Sequence, residues 1–304
     1  MPAADARMNL GGVAIDETFA EAFGMRATRL IVTAETIQWA RIAATSMTGF
    51  ATSVIGCGLE AGIEREFAPA ETPDGRPGVA VLIFAVSRDA LAKAVRERVG
   101  QCVLTCTGTA CYAGLSGDAP VPLGRALRYF GDGHQAAKRI GDKRYWRIPV
   151  MDGEFVCEDM TGAQRAVGGG NFLMLGRSYS GVLAAAERAV QAMRQVPEVI
   201  MPFPGGLVRS GSKVGSRYKF LPASTNDPFC PTLQGTAQSQ VEPEVASVIE
   251  IVIDGLTEAA VGAAMAAGIR AACAGAGGAL TRITAGNYGG KLGPFHFHLH
   301  ELLK

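Results

Sequence analysis

The chain has 304 residues, which is enough for two domains of ordinary size. Hydrophobic residues make up 48% and charged residues 19%, a balance that excludes disordered and fibrous proteins. Lys and Arg number 29 against 28 Asp and Glu, so the formal charge of +1 gives no overall field that would attract nucleic acid or an anionic membrane. We therefore expect any anion-binding site to be local.

The N-terminal segment and the cysteines predict a cytoplasmic protein. Residues 1–24 contain no apolar stretch of signal-peptide length, and no run in the chain reaches the ~18 apolar residues of a membrane span. The seven cysteines form an odd, scattered set without a CxxC pair. Such a set favours reduced thiols over a disulfide framework or a zinc site.

The first half of the chain alternates strands and helices. Its apolar periodicity predicts, in order, a strand at 28–33, a helix at 34–46, a strand near 51–57, a strand at 79–86, a helix at 87–100 and a strand at 101–107. Ser87 is predicted to cap the start of the second helix, and Gly100 to end it. The half therefore contains the strand-helix-strand unit twice.

The second half repeats this order. Strands are predicted at 172–176, 198–203, 248–255 and 279–285, with helices at 178–196 and 257–277. Two halves that each carry the doubled unit predict an α+β fold of two ferredoxin-like lobes, each a sheet with helices packed on it. We place the lobes at residues 1–160 and 161–304.

The segment between the two halves has features of its own. Residues 126–160 are predicted to be rich in strand, with Asp152-Gly153 as the signal of a hairpin. The triple glycine at 168–170 favours a hinge or turn, and close approach of the backbone to another group is the alternative.

Several familiar site types are missing from the sequence. It contains no GxxxxGK[ST], strand-linked GxGxxG, HExxH or GxSxG motif, which argues against P-loop, Rossmann, zincin and hydrolase-elbow sites. His296, His298 and His300 would share one face of a strand and so suggest a metal site. Because period-two alternation is also typical of a half-exposed strand, and no further ligand is apparent, we predict a structural role and no metal.

Residues 203–233 form a long segment without apolar periodicity. Its four cations, Arg209, Lys213, Arg217 and Lys219, alternate with hydroxyls and glycines. Cations and backbone amides in a glycine-rich loop suit carboxylates or phosphates of a substrate, and a solvated face is the alternative. Ser224, Thr225 and Asn226 follow, and they can bind a polar substrate or satisfy the backbone of the turn.

Glu250 lies inside the apolar run VIEIVIDG, where a carboxylate is costly unless it has a partner. It can point outward from a half-buried strand, or face a cleft with its pKa raised by desolvation. The residues alone favour the outward position. Asp16, Glu17 and Glu21 are likewise expected to be solvated.

Long blocks of the sequence closely resemble formylmethanofuran:tetrahydromethanopterin formyltransferases. They are PGGLVRSGSKVGSRYKFLPASTNDPFCPTL at 204–233, DETFAEAFGMRATRLIVTA at 16–34, TGFATSVIGC at 48–57, EAGIE at 60–64, ETPDGRPGV at 71–79, RVGQCVLT at 98–105, FGDG at 130–133, GGNF at 169–172, EIVIDGL at 250–256 and TAGNYGGKLG at 284–293. The resemblance implies two ferredoxin-like lobes, a homotetramer and no tightly bound metal or organic cofactor. It also implies formyl transfer between the amine of methanofuran and N5 of tetrahydromethanopterin, both as substrates.

Two differences from the archaeal members of the family indicate which branch the chain resembles. The chain is nearly neutral, and residues 108–122 lack the acidic insert of the archaeal proteins. It therefore resembles the branch of methylotrophic bacteria, in which the transferase is similar to one subunit of a formyltransferase/hydrolase complex. The other subunits there resemble a formylmethanofuran dehydrogenase and release formate. A scaffold or pterin-binding subunit without turnover is the alternative, and an amidohydrolase ranks last because a metal-ligand pattern is missing.

The resemblance also assigns roles to residues. It implies that Glu250 is the catalytic acid, which reverses the preference for an outward position. The implied substrate-binding residues are Ser212, Lys213 and Arg217 at carboxylates and polar tails, Asn226 near the formyl or pterin group, Asn287 and Lys291 as a wall of the cleft, and Ser224.

Overall fold

The computed structural model describes residues 8–236 and 238–304. Residues 1–7, with which the segment examined for a signal peptide begins, lie outside them. The strands of the described residues are β1 Met8–Leu10, β2 Val13–Ile15, β3 Phe19–Thr33, β4 Thr52–Ser53, β5 Leu59–Phe67, β6 Gly78–Ala85, β7 Ala110–Ala113, β8 Val121–Pro122, β9 Ala136–Ile140, β10 Lys143–Val150, β11 Gly153–Glu158, β12 Met160–Thr161, β13 Gln164–Gly176, β14 Val199–Ile200, β15 Lys213–Val214, β16 Ala223–Ser224, β17 Ser247–Gly255, β18 Leu280–Thr284 and β19 Phe295–His298. Their α-helices are α1 Ile37–Thr48, α2 Val54–Cys57, α3 Arg88–Arg98, α4 Gly124–Leu127, α5 Tyr179–Met193, α6 Glu258–Ala274 and α7 Leu299–Leu302. None of these helices combines the length and apolar character needed to cross a membrane.

The chain divides into two compact units. One contains residues 25–166, and the other combines residues 8–24 with residues 167–304. The division differs from the expected one at 160/161 chiefly in the N-terminal segment. That segment joins the second unit because β2 pairs with β18 and the first residues of β3 pair with β19. Pairings between residues so far apart in sequence leave no local signal.

The unit of residues 25–166 is built on a sheet in the order β7-β3-β6-β5, with neighbouring strands antiparallel. In chain order these are the fourth, first, third and second strands of a doubled strand-helix-strand unit, which is the ferredoxin-like arrangement. The helix α1 packs on this sheet through small side chains and one methionine: Ala40, Ala43, Ala44 and Met47. The predicted hairpin is confirmed, because β10 and β11 pair with Val150 opposite Gly153.

Two predicted strands in this unit are wrong. Within residues 51–57 only Thr52–Ser53 is extended, and the following residues form α2, whose start is capped by Ser53. The apolar run at 101–107 lies in a π-helical turn, Val99–Val103, and the turn after it, so that the helical path also passes the predicted stop at Gly100. Short apolar runs fit a buried helical turn as well as a strand, which explains the error. The predicted cap is confirmed, since Ser87 accepts a hydrogen bond from the N–H of Ala90.

The second unit repeats the arrangement with a sheet in the order β18-β13-β17-β14, again antiparallel. The helices α5 and α6 bury alanine-rich faces in one core with the apolar side chains of this sheet. The predicted α+β class with two ferredoxin-like lobes is therefore confirmed. The helices α5 and α6 and the strand β17 form as expected, whereas β13 begins eight residues before the strand predicted at 172–176.

The triple glycine is not a hinge. It lies inside β13, where the pairing with β17 shifts between Val167 and Gly170, which marks a β-bulge. The N–H of Gly169 donates to Asp254 Oδ1 at 3.0 Å. A Cβ at Gly170 would lie 2.5 Å from Val261 Cγ1, so the alternative of a close approach holds at that position.

Candidate active site

Glu250 lies in the middle of β17 and is only 3% exposed. Ser212 Oγ donates a hydrogen bond of 2.5 Å to its Oε1, whereas its buried Oε2 has no hydrogen-bond partner among the described residues. Burial raises the pKa of Glu250 to about 7, against the opposing effect of the hydrogen bonds from Ser212. The outward, solvated position favoured by the residues alone is therefore wrong.

The loop that covers Glu250 is anchored directly to it. Val208 and Glu250 exchange two backbone hydrogen bonds: the nitrogen of Val208 lies 2.8 Å from the oxygen of Glu250, and the nitrogen of Glu250 lies 3.0 Å from the oxygen of Val208. On its other side Glu250 pairs with Leu173 of β13. Val208 thus acts as a short edge strand beside β17, and four residues later the chain brings Ser212 over the carboxyl group.

Gly211 allows two parts of the loop to meet. It has φ +75°, and a Cβ there would lie 2.4 Å from Asn226 Cβ, so that only glycine fits. Beyond it, β15 and β16 pair with Lys213 opposite Ser224. The structure therefore brings together Ser212, Lys213, Ser224 and Asn226, four of the residues singled out in the sequence.

The cations of the loop differ in their surroundings. Lys213 forms an ion pair with Asp227, and this contact, assisted by the charge of Arg217, lowers the pKa of Asp227. Arg217 is itself exposed, as are Arg209 and Lys219. Ser224 Oγ donates to Gly215 O at 2.6 Å, so its hydroxyl serves the turn.

A second loop, residues 285–294 between β18 and β19, reaches the same place. The hydroxyl of Tyr288 donates to Ser212 O at 3.2 Å and accepts from the N–H of Val214 at 3.0 Å. It thus holds the backbone on both sides of Lys213. Sequence reasoning missed Tyr288, since an aromatic residue in a glycine-rich loop carries no specific signal.

Asn287 and Lys291 lie on this second loop. Asn287 Nδ2 donates to Thr18 Oγ1 and Phe19 O at 3.2 and 3.1 Å, and its Oδ1 accepts from the N–H of Gly289 at 3.0 Å. The amide of Asn287 therefore shapes the loop. Lys291 is exposed on it.

Glu21 is buried, with 1% exposure, and the expectation of a solvated charge was wrong. Its carboxylate accepts hydrogen bonds from four backbone N–H groups of the second loop. An acidic residue within a strand pattern gives no indication of donors more than 260 residues away in the sequence.

The three histidines do not form one cluster. His296 and His298 lie on β19, and their rings are 4.9 and 5.2 Å from the ring of Phe19. His300 lies in α7 and forms a hydrogen bond of 2.9 Å with Ile15 O, so the predicted common face is wrong for it. Within residues 8–236 and 238–304, no three His, Cys, Asp or Glu side chains come together as metal ligands.

Comparison with known proteins places these loops in a family. Residues 8–150 match the family model described as formylmethanofuran-tetrahydromethanopterin formyltransferase, and residues 153–302 match the model described as its proximal lobe. The formylmethanofuran–tetrahydromethanopterin formyltransferase of Methylococcus capsulatus is 64% identical over 97% of this chain and 100% of its own length.

Two solved structures have the same fold. One is the formyltransferase/hydrolase complex of Methylorubrum extorquens with methylofuran, in which a chain 56% identical superposes with a TM-score of 0.96 over 98% of this chain and 99% of its own length. The other is the formyltransferase of Methanosarcina barkeri, which is 46% identical with a TM-score of 0.92 over 97% of this chain and 100% of its own length.

Proposed function

The chain belongs to the formylmethanofuran–tetrahydromethanopterin formyltransferase family, and we propose that Glu250 is the general acid and base in the reaction of that family. The protein is an acyltransferase of one-carbon metabolism. It moves a formyl group between N5 of tetrahydromethanopterin and the amine of methanofuran, which are its substrates.

The reaction requires an acid that can also act as a base. The attacking amine adds to the formyl carbon and forms a tetrahedral intermediate, whose carbonyl oxygen becomes an oxyanion. The new C–N bond forms with loss of one proton from the attacking nitrogen, and the old C–N bond breaks as its nitrogen gains one. Because one proton is released and one is taken up, a single carboxyl group can serve both steps.

The unpartnered Oε2 of Glu250 is the observation that carries this proposal. Ser212 donates to Oε1, and the buried Oε2 is left without a hydrogen-bond partner among the described residues. A pKa raised to about 7 by burial keeps a large fraction of the group protonated near neutral pH. In that state Glu250 donates a hydrogen bond to the oxyanion and then a proton to the leaving nitrogen.

The polar loops around Glu250 are proposed to bind the substrates. The exposed cations Arg217 and Lys291 suit the anionic tails, and Lys213 would exchange its contact with Asp227 for a substrate carboxylate. The hydroxyl and amide groups of Ser212, Ser224, Asn226 and Asn287 complete the proposed set. Of these, Asn226 would orient the formyl or pterin group, and Asn287 would form part of the wall of the cleft.

The assembly is also a proposal. One relative belongs to a formyltransferase/hydrolase complex, and this supports association of the present chain with hydrolase subunits that resemble formylmethanofuran dehydrogenase. We propose a cytoplasmic homotetramer within such an assembly. A scaffold subunit without turnover is the competing function, and the observation in its favour is that the Methylorubrum extorquens relative belongs to a complex with a hydrolase.

The test is an assay of the purified chain with formylmethanofuran and tetrahydromethanopterin, in which the ultraviolet absorbance of formyltetrahydromethanopterin is followed. We expect Glu250→Gln to lower kcat by about 10²-fold or more, the usual contribution of a positioned acid. Glu17→Gln is the matched control because Glu17 is exposed. Near-normal turnover by a folded Glu250→Gln protein would overturn the role of Glu250. No turnover by the wild type, even with its partner subunits, would favour the scaffold.

A further inference from the structure

The buried carboxylate of Glu21 organises the loop that follows β18. Its Oε2 accepts from the N–H groups of Tyr288 and Gly290 at 2.7 and 2.9 Å, and its Oε1 accepts from those of Leu292 and Gly293 at 2.5 and 2.6 Å. Converging backbone N–H groups of this kind commonly form a site for an anion. Here the anion is a side chain of the protein itself.

Glu21 is ionised over the whole range in which the protein would work. Burial by itself would raise its pKa, but the four backbone donors outweigh burial and lower the pKa to about 2. The loop is thus folded around a permanent negative charge. Asn171 fixes the start of the same loop, because its Oδ1 accepts from the N–H of Gly286 at 2.6 Å and its Nδ2 donates to Gly286 O at 3.2 Å.

One side chain connects this loop to the proposed acid. The N–H of Tyr288 is held by Glu21, and its hydroxyl contacts Ser212 O and the N–H of Val214. Ser212 in turn donates its hydroxyl to Glu250. Burial raises the pKa of Tyr288, and the charges of both Glu250 and Glu21 add to this effect.

We propose that Glu21 is a positioning residue, whose carboxylate fixes Tyr288 so that Tyr288 holds Ser212 against Glu250. The catalytic consequence rests on the function proposed for Glu250. The positioning of Ser212 by Glu21 and Tyr288 does not depend on that function, because all of its contacts are between groups of the protein. Glu21 acts through Tyr288 and Ser212 and has no part in the transfer of the formyl group itself.

Replacement of Glu21 by glutamine removes the charge and disrupts its hydrogen bonds while keeping the side chain's size. The amide keeps the shape but offers one oxygen and one NH₂ group to four N–H donors, so the NH₂ must face either Tyr288 and Gly290 or Leu292 and Gly293. Two of the four hydrogen bonds are lost in either orientation. We expect the loop to loosen and Tyr288 to release Ser212.

The release of Ser212 has a measurable effect on Glu250. Hydrogen bonds from Ser212 favour the ionised form of Glu250 and oppose the effect of burial. Their loss should move the titration of Glu250 upward by about one pH unit, because a hydrogen bond to a charged group is of that strength. A residue that merely supported the fold would not shift this titration.

The experiment follows the C=O stretch of protonated Glu250 by infrared spectroscopy as pH is changed. The band is assigned by its absence in Glu250→Gln. We expect the midpoint to rise in Glu21→Gln, in Tyr288→Phe and in Ser212→Ala, and the double variant Glu21→Gln with Ser212→Ala to show no more than the effect of the larger single change. Glu17→Gln, an exposed carboxyl on the same segment, should leave the midpoint unchanged.

The outcomes separate this inference from the proposed function. An unchanged midpoint in both Glu21→Gln and Tyr288→Phe would overturn the positioning role, whatever the activity. If Glu21→Gln does not fold, Tyr288→Phe still decides, since it removes only the hydroxyl that holds Ser212. A raised midpoint with unchanged turnover would support the positioning role and overturn the role of Glu250 in the reaction.

Discussion

Replacement of Glu250 by glutamine should change the stability of the protein in a pH-dependent way. Burial raises the pKa of Glu250 from 4.5 to about 7, although the hydrogen bonds from Ser212 act in the opposite direction. A carboxyl group with a raised pKa in the folded state contributes fully to stability below the unfolded value. That contribution is lost as pH rises through the folded value, so the window for this group runs from 4.5 to about 7.

The size of the effect follows from the displacement of the pKa. Each pKa unit corresponds to about 1.4 kcal/mol, so the displacement from 4.5 to about 7 corresponds to about 3 kcal/mol at the upper end of the window. Glutamine has nearly the same shape and carries no charge at any pH. We therefore expect Glu250→Gln to gain about 3 kcal/mol of unfolding free energy over the wild type between acidic pH and pH ~8.

The measurement is denaturant unfolding of both proteins at one protein concentration across pH ~4 to ~8. The difference in unfolding free energy should be nearly constant below the window, grow through it and level off above it. Glu17→Gln serves as the control and should show a constant difference, because Glu17 is exposed. If the difference between the wild type and Glu250→Gln were the same at both ends of the range, the buried, protonated state of Glu250 would be refuted.

Two further predictions concern the loops around this carboxyl group. Gly211→Ala should lower the unfolding free energy by more than Gly215→Ala. Both glycines have positive φ, which costs about 1–2 kcal/mol for alanine, but the new Cβ would clash with Asn226 at Gly211 and would meet no atom within 4 Å at Gly215. Equal losses of unfolding free energy in urea would contradict the clash. Glu21→Gln should lower the unfolding free energy near neutral pH. Because the pKa of Glu21 is lowered from 4.5 to about 2, the loss relative to the wild type should shrink as pH falls through that window. A loss that does not depend on pH would show that the charge of Glu21 is not its cause.

The fold could be predicted well where the periodicity is long. The helices α5 and α6, predicted at 178–196 and 257–277, formed over 15 and 17 residues of those ranges, whereas β13 extends well beyond the five residues predicted for it. The strand predicted at 101–107 was wrong because a short apolar run packs equally well as a buried helical turn, whereas the short runs at 79–86 and 279–285 did form strands. Apolar periodicity identifies an element most securely when it extends over many residues.

The candidate site shows the same limit. The position of Ser212, Lys213 and Asn226 in one irregular loop was visible in the sequence, as was an unusual carboxylate at Glu250. The role of Glu21 was not visible, because its hydrogen-bond donors are backbone groups, which every residue except proline possesses. The pairing of β3 with β19, together with the hydrogen bond from the N–H of Glu21 to Gly286 O, brings that loop to Glu21.

This long separation has a consequence for how the protein is made. Glu21 leaves the ribosome early, and the N–H group of Tyr288 that it binds follows 267 residues later. Residues 25–166 can complete their own sheet while synthesis continues, because domains fold as units from the N-terminus. The unit with Glu21 and Glu250 must wait for contacts of high sequence separation, which form slowly. A nascent chain that stops before residue 288 would therefore contain Ser212, Val214 and Glu250 and still lack the Tyr288 hydroxyl that contacts the backbone of Ser212 and Val214.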